Sequence, residues 1–194
     1  MLIGKPGAAI TQLCSASADK IEVRGKDLCG DLMGRLSFTQ YFFFLASGRE
    51  PTSEQTFFLD LLLITIAEHG LVPSVQAARM TFDADPAVLQ GAVAAGILGC
   101  GSVILGTAEI CGRALADAKS LCDEGKSPAD ASYAVLRAIK DRGGKAPGFG
   151  HPIHHPVDPR SERIFSLADA RGVSGIHVAL ARRMTEAVRD LCEP

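Results

Sequence analysis

Residues 148–160 read Gly-Phe-Gly-His-Pro-Ile-His-His-Pro-Val-Asp-Pro-Arg and set His151, His154 and His155 within five positions. Three uses are open to such a stretch. Metal binding needs side chains that converge. A histidine pair spaced i, i+3 or i, i+4 converges on a helix, and Pro152 and Pro156 interrupt any continuous helix here. No cysteine or second carboxylate pair lies beside it in sequence, so a metal is the weakest of the three. A stiff connecting turn with polar surface histidines would need no chemistry at all. The third use is a ligand loop. Gly148 and Gly150 bracket Phe149, so the backbone can approach a ligand closely and aim N–H groups at an anionic oxygen or a nucleotide edge. His151 follows directly and exchanges protons near neutral pH. Arg160 offers a planar fork of donors suited to a carboxylate.

The elements that must hold this loop belong to a chain of 194 residues with 20 basic and 22 acidic side chains, a net charge of −2. That length suits one good core. The balance gives no electrostatic footprint for nucleic acid and favours a small molecule or a protein partner. Cysteines 14, 29, 100, 111, 122 and 192 form neither a C-x-x-C pair nor a dense disulfide framework. They read as free thiols in a reducing cytosol. The first residues show no signal-peptide pattern. The segment from Ala87 to Ala108 is the most membrane-like, but Gln90, Ser102, Thr107 and glycines 91, 96, 99, 101 and 106 interrupt it. A spanning helix needs about 20 predominantly apolar residues, so a buried, closely packed helix pair is expected instead.

Residues 1–20 are small and polar and read as a flexible lead-in, with the domain proper at 21–194. Ile21 to Lys26 fits a short extended segment, and 27–34 a turn-rich piece. Ser37 caps a helix that Gly48 ends, and Thr52 or Ser53 caps a second whose apolar run from Phe57 to Ala67 is broad enough to be mostly buried. Further helices are expected from Pro73 to about Phe82, from Asp85-Pro86, over Val103–Asp123, Ser127–Arg142, Ser161–Ala170 and Gly175–Leu191. Alternating β-branched runs hardly occur outside Ile21–Val23. The fold class is all-α.

Gly148-Phe149-Gly150-His151 followed by Asp158-Pro159-Arg160 resembles the signature of the citrate synthase superfamily. The likeness implies a Gly-x-Gly-His loop that contacts coenzyme A and the keto acid, and an arginine that binds a carboxylate. Ala67-Glu68-His69-Gly70 with Ala77-Ala78-Arg79 downstream is similar to the family segment whose histidine helps hold oxaloacetate. Taken alone, His69 would equally suit a cation at a helix C-terminus. Arg24-Gly25 matches an early turn of the family and reads as scaffold.

One stretch departs from the pattern. Where citrate synthases proper carry a Gly-Pro-Leu-His-Gly-Gly segment, whose histidine polarises the thioester oxygen, residues 99–109 here have Ile104 and Leu105 and no histidine. Losing one oxyanion donor typically costs about 10²–10³ in rate. The region instead resembles citryl-CoA lyases and the citryl-CoA-cleaving part of ATP-citrate lyase.

The resemblance therefore implies a citrate-synthase-like multi-helix fold, truncated at its C-terminus, that cleaves citryl-CoA to acetyl-CoA and oxaloacetate. Condensation by a citrate or 2-methylcitrate synthase is the first alternative, and an inactive CoA-binding or partner subunit the second. His69 and His151 are the implied catalytic residues, and with Arg160 they bind substrate. Gly148, Phe149 and Gly150 face the CoA arm. The family's aspartate that serves the acetyl carbon is expected in a segment after Pro194. No metal or redox cofactor is expected, the CoA thioester being substrate. A cytoplasmic homodimer without nucleic-acid or membrane partners completes the set of expectations, and His154, His155 and His177 are left without chemistry.

Overall fold

Ser37 and Thr52 begin two helices by the same device. Each side chain accepts the backbone N–H of the residue three positions on, and that residue, Gln40 or Gln55, returns its own side-chain oxygen to the cap N–H. These capping boxes satisfy donors a helix start leaves open. The computed structural model describes residues 11–101, 106–151, 153–154 and 157–192. Eight α-helices lie among the described residues, with one three-stranded sheet and one π-helical turn.

The chain divides into two compact units, one running to Glu68 and one from His69. In the first, β1 (Cys14–Ala16), β2 (Ile21–Val23) and β3 (Lys26–Asp27) form an antiparallel sheet in that order. Arg24 and Gly25 join β2 to β3 with φ of 47° and 77°, the pair of positive values that a two-residue hairpin turn demands. Asp27 caps the π-helical turn Leu28–Leu32 by accepting the Gly30 N–H at 2.7 Å. Helix α1 (Phe38–Ser47) stops at Gly48, φ 77°, and Val23, Leu32 and Phe44 form the local core. Helix α2 (Ser53–Ala67) joins α1 through a Thr39–Asp60 hydrogen bond.

In the second unit α3 (Pro73–Ala84) packs on α4 (Leu89–Leu98). Helices α5 (Gly106–Asp123), α6 (Pro128–Asp141) and α8 (Ile176–Cys192) enclose the main core, and α7 (Pro159–Ala170) precedes α8. The period of the sequence explains that core. Leu180, Met184, Ala187 and Leu191 fall on one face of α8, Ala131, Val135 and Leu136 on one face of α6, and Ala114 and Ala118 on α5. Ser132, fully buried among them, donates its hydroxyl to Leu180 O at 3.4 Å. Lys140 donates from its ammonium to Leu191 O, one of the carbonyls a helix end leaves open.

The all-α class and the helices around the loop are found as expected, with four local differences. Residues 14–16 pair with β2, so the lead-in carries a strand; its first ten residues lie outside the described ones. Helix α4 begins at Leu89, not at Asp85-Pro86, where Asp85 accepts the Ala87 N–H and holds a turn. Helix α3 runs two residues past the expected end near Phe82, to Ala84. Helix α2, expected to be mostly buried, has no buried residue, and Ile64 is 75% exposed. Its breadth reports apolarity on all sides, which a single unit has no means to cover.

The close helix pair is α3 with α4; expected to be buried, it leaves Leu89, Val93, Ile97 and Leu98 of α4 exposed, and no helix among the described residues is long and apolar enough to cross a membrane. Glycine makes the pair close. A Cβ on Gly99 would stand 3.0 Å from Ser74 Cα, and one on Gly96 3.2 Å from Ala78 Cβ. Gly112, inside α5, has open space instead. The same substitution thus takes opposite signs. Gly99→Ala is expected to destabilise by about 1–3 kcal/mol through overpacking, and Gly112→Ala to stabilise by about 0.5–1 kcal/mol through helix propensity, both read from urea midpoints.

Candidate functional site

Asp158-Pro159-Arg160 is the start of α7, and each residue has a local reason to be there. Asp158 is the N-cap and accepts the Arg160 N–H at 2.9 Å, while Pro159 occupies the first helical position, where its missing N–H costs nothing. Ser161 donates to Asp158 O at 2.8 Å and tightens the entry. The same carboxylate grips the Arg160 side chain, at 3.0 and 3.2 Å from Nε and 2.6 Å from NH2. The guanidinium and the backbone N–H hold Asp158 at a pKa of about 2, below the ordinary carboxylate range.

The one remaining edge of Arg160, NH1, meets His69 Nδ1 at 3.4 Å. His69 stands on the turn that leads into α3. Gly70 with φ 66° bends that turn, and Gln76 fastens it by donating to Leu71 O at 2.7 Å. Ninety-one positions of sequence separate His69 from Arg160.

The loop reaches the same place by a different support. Gly148 and Gly150 take φ of 79° and 92°, in the left-handed region that favours glycine. Phe149 between them packs against the α5–α6–α8 core. A Cβ on Gly148 would lie 2.9 Å from Cys111 Sγ on α5, so the loop rests directly on that helix. His151 Nδ1 accepts the N–H groups of Ile153 and His154, each at 3.2 Å. The His154 ring stacks on His151 with centroids 4.5 Å apart. Desolvation lowers the His151 pKa first, then the neighbouring His154 and Arg160 charges, against an opposite pull from Asp158.

The structure brings His69, His151 and Arg160 to one place, with the Gly148–Gly150 loop leading into it. His155 lies outside the described residues, and His177 is at the start of α8. Asp158 and His154 stand beside Arg160 and His151, although no sequence pattern assigns either a role there. Asp158 also orients Arg160, and His154 fixes the His151 ring. An acid before proline is a legible helix cap, and a guanidinium two residues on is within its reach; the Cys111 support of Gly148 carries no sequence signal. One ligand atom each from His151, His154 and Asp158 lies within 4.8 Å of the others, a grouping achieved without a helix. Both Asp158 oxygens face Arg160 and His151 Nδ1 faces two N–H groups, so those donors are already engaged.

Two outcomes follow from this geometry. Gly148→Ala must both strain a positive φ and press on Cys111, so it should displace the loop and lower stability by about 1–3 kcal/mol, measurable by urea melts and by altered amide shifts at residues 149–151. Asp158 has a folded pKa depressed below its unfolded value. Its contribution to stability is therefore present above the ordinary carboxylate range and lost as pH falls through about 2. Asp158→Asn should flatten the acid limb of a stability-versus-pH curve below pH 4 or so, leaving the neutral cap intact.

The family model for the citrate synthase C-terminal domain matches residues 8–193. A Mycobacterium tuberculosis (strain ATCC 25618 / H37Rv) protein called "Putative citrate synthase 2" is 31% identical over 132 residues, 68% of this chain. The chain spans about a third of the length of such relatives, the match covering 33% of that protein. Among solved structures, citryl-CoA lyase from Hydrogenobacter thermophilus aligns with a TM-score of 0.78 at 26% identity, covering 94% of this chain and 68% of that one. ATP citrate lyase from Methanothrix soehngenii, in complex with citrate and coenzyme A, aligns at 0.77 and 22% identity over 98% of this chain and 30% of that one, a likeness of fold. With a family model matched over nearly its whole length, the chain belongs to the citrate synthase family.

Proposed function

We propose that this chain carries the keto-acid and CoA-facing part of a citryl-CoA lyase, which cleaves citryl-CoA to acetyl-CoA and oxaloacetate. The observation behind it is the meeting of His69, His151 and Arg160 beside the Gly148–Gly150 loop. In the reaction a base takes the citryl hydroxyl proton and the oxygen becomes the carbonyl of oxaloacetate. The C–C bond breaks, its electron pair passes to the thioester as an enolate, and protonation at carbon gives acetyl-CoA. Arg160 binds a carboxylate, His69 and His151 serve the carboxylate and the reacting oxygen, and residues 148–150 face the thioester arm. No metal or redox group is needed, since the thioester itself accepts the electron pair.

The Hydrogenobacter lyase favours this direction, as does the absence of a histidine at residues 99–109. The mycobacterial relatives favour condensation, and microscopic reversibility lets the same groups serve it. We place the protein in a reducing cytoplasm, where its five described cysteines stay free. A homodimer is the proposed assembly. Leu62, Ile64 and Ile66 on α2, and Leu89, Val93, Ile97 and Leu98 on α4, are exposed apolar side chains that a second copy would cover. Sedimentation at micromolar concentration should give twice the chain mass; a monomer throughout would refute the assembly.

The deciding measurement is oxaloacetate release from citryl-CoA, beside oxaloacetate consumption with acetyl-CoA or propionyl-CoA. Release is expected to exceed condensation, and His151→Ala and His69→Ala each to lower it by about 10²-fold or more, as for loss of an oxyanion donor. CoA binding without turnover in either direction would assign the chain to a binding role instead.

A further inference from the structure

Helix α7 carries Arg160 in its first turn, yet it brings little into the core: Ala168 is its one buried residue among those described. A polar clamp from α8 grips it as well. Leu180 and Met184 are fully buried and Arg182 lies between them in sequence, so the helix that carries this arginine is fixed by the core. Its two terminal nitrogens donate to the two Asp169 oxygens at 3.3 and 2.5 Å, and its guanidinium lies over the Phe165 ring, 5.4 Å from the centroid. Ser174 donates to the same carboxylate at 2.5 Å. Arg182 first, and Ser174 after it, hold the Asp169 carboxyl below its ordinary range.

Phe165 and Asp169 are four positions apart, so they share one face of α7, and Arg182 grips that face at two heights about 6 Å apart along the axis. Two points fix an inclination where one would leave a pivot. Arg160 lies nine positions before Asp169, about 13 Å along the axis, so a tilt of about 5° there would carry it about 1 Å. A displacement of about 1 Å in a group that orients substrate can cost about 10²-fold in rate. We propose that Arg182 is a positioning residue for Arg160 and acts through the whole of α7. An exposed ion pair adds little stability; this one sets a direction. Asp158 fixes the Arg160 side chain relative to the start of α7, and Arg182 fixes α7 relative to the core. The two grips are in series, so loss of either displaces the same guanidinium. The inference rests for its use on the reading of Arg160 as the carboxylate ligand.

Arg182→Met keeps an apolar stem beside Phe165 and removes the cation. In isotope-labelled protein without substrate, the nuclear Overhauser contact between the Arg160 side chain and the His69 ring should fade, while the Arg160 Nε–H, held by Asp158 within the same helix, keeps its chemical shift. Asp169→Ser, which opens the clamp from the other side, should give the same result, and Arg182→Lys, which still sets a cation between Phe165 and Asp169, should restore part of the contact. Retained helical circular dichroism reports that each variant is folded. In citryl-CoA turnover Arg182→Met should raise KM by about 10-fold or more and change kcat less. On an Arg160→Met background it should add nothing, because a residue that acts only through Arg160 has nothing left to position. A contact indifferent to both Arg182→Met and Asp169→Ser, or a loss that adds fully to that of Arg160→Met, would overturn the proposal. A contact that fades in the variants of a chain whose wild type turns over no citryl-CoA would overturn the functional reading and leave the positioning standing.

Discussion

The fork between Asp158 and Arg160 is the interaction on which the site depends. A single carboxylate closes the first turn of α7 by accepting the Arg160 N–H and, through the same two oxygens, holds the Arg160 guanidinium. Such a pair on a mobile surface would contribute little. Here it is short in sequence, bidentate and anchored to a helix start, so its geometry costs little ordering entropy. The cap and the ligand group are one structure, so the helix cannot start elsewhere without moving the arginine.

The histidine loop depends on the opposite end of the hierarchy, the core. Phe149 is the only large apolar side chain between Gly148 and His151, and it packs against the α5–α6–α8 cluster. Gly148 can then lie against Cys111 because it has no side chain. The core thereby sets the distance of His151 from α5, and the amides after His151 set which way its ring faces. Alanine at positions 114, 118 and 131 lets α5 and α6 approach closely enough for this support.

Local chemistry was legible in the sequence wherever one residue type answers one demand. Ser37 and Thr52 as caps and Gly48 as a stop are found in those positions, whereas α7 starts at Pro159, two residues before the expected Ser161. The site residues were legible through their two motifs, because the loop and the Asp-Pro-Arg turn are short and unusual. Long-range consequences were not. The apolar breadth of α2 implied burial, yet breadth says only that water is unfavourable on every side, and Ile64 and Ile66 remain exposed within the chain. The meeting of Arg160 with His69, ninety-one positions away in sequence, is encoded by no local pattern.

In the proposed reaction two oxygens carry charge as the C–C bond breaks, the citryl oxygen that becomes a ketone and the thioester oxygen of the enolate. His69, His151 and Arg160 gather at one place that suits the first. Residues 99–109 have Ile104 and Leu105 and no histidine for the second. Breaking and forming that bond share one transition state, so what these three side chains contribute serves either direction. The support for cleavage is therefore the likeness to the lyases at residues 99–109, and not a barrier lowered one way only.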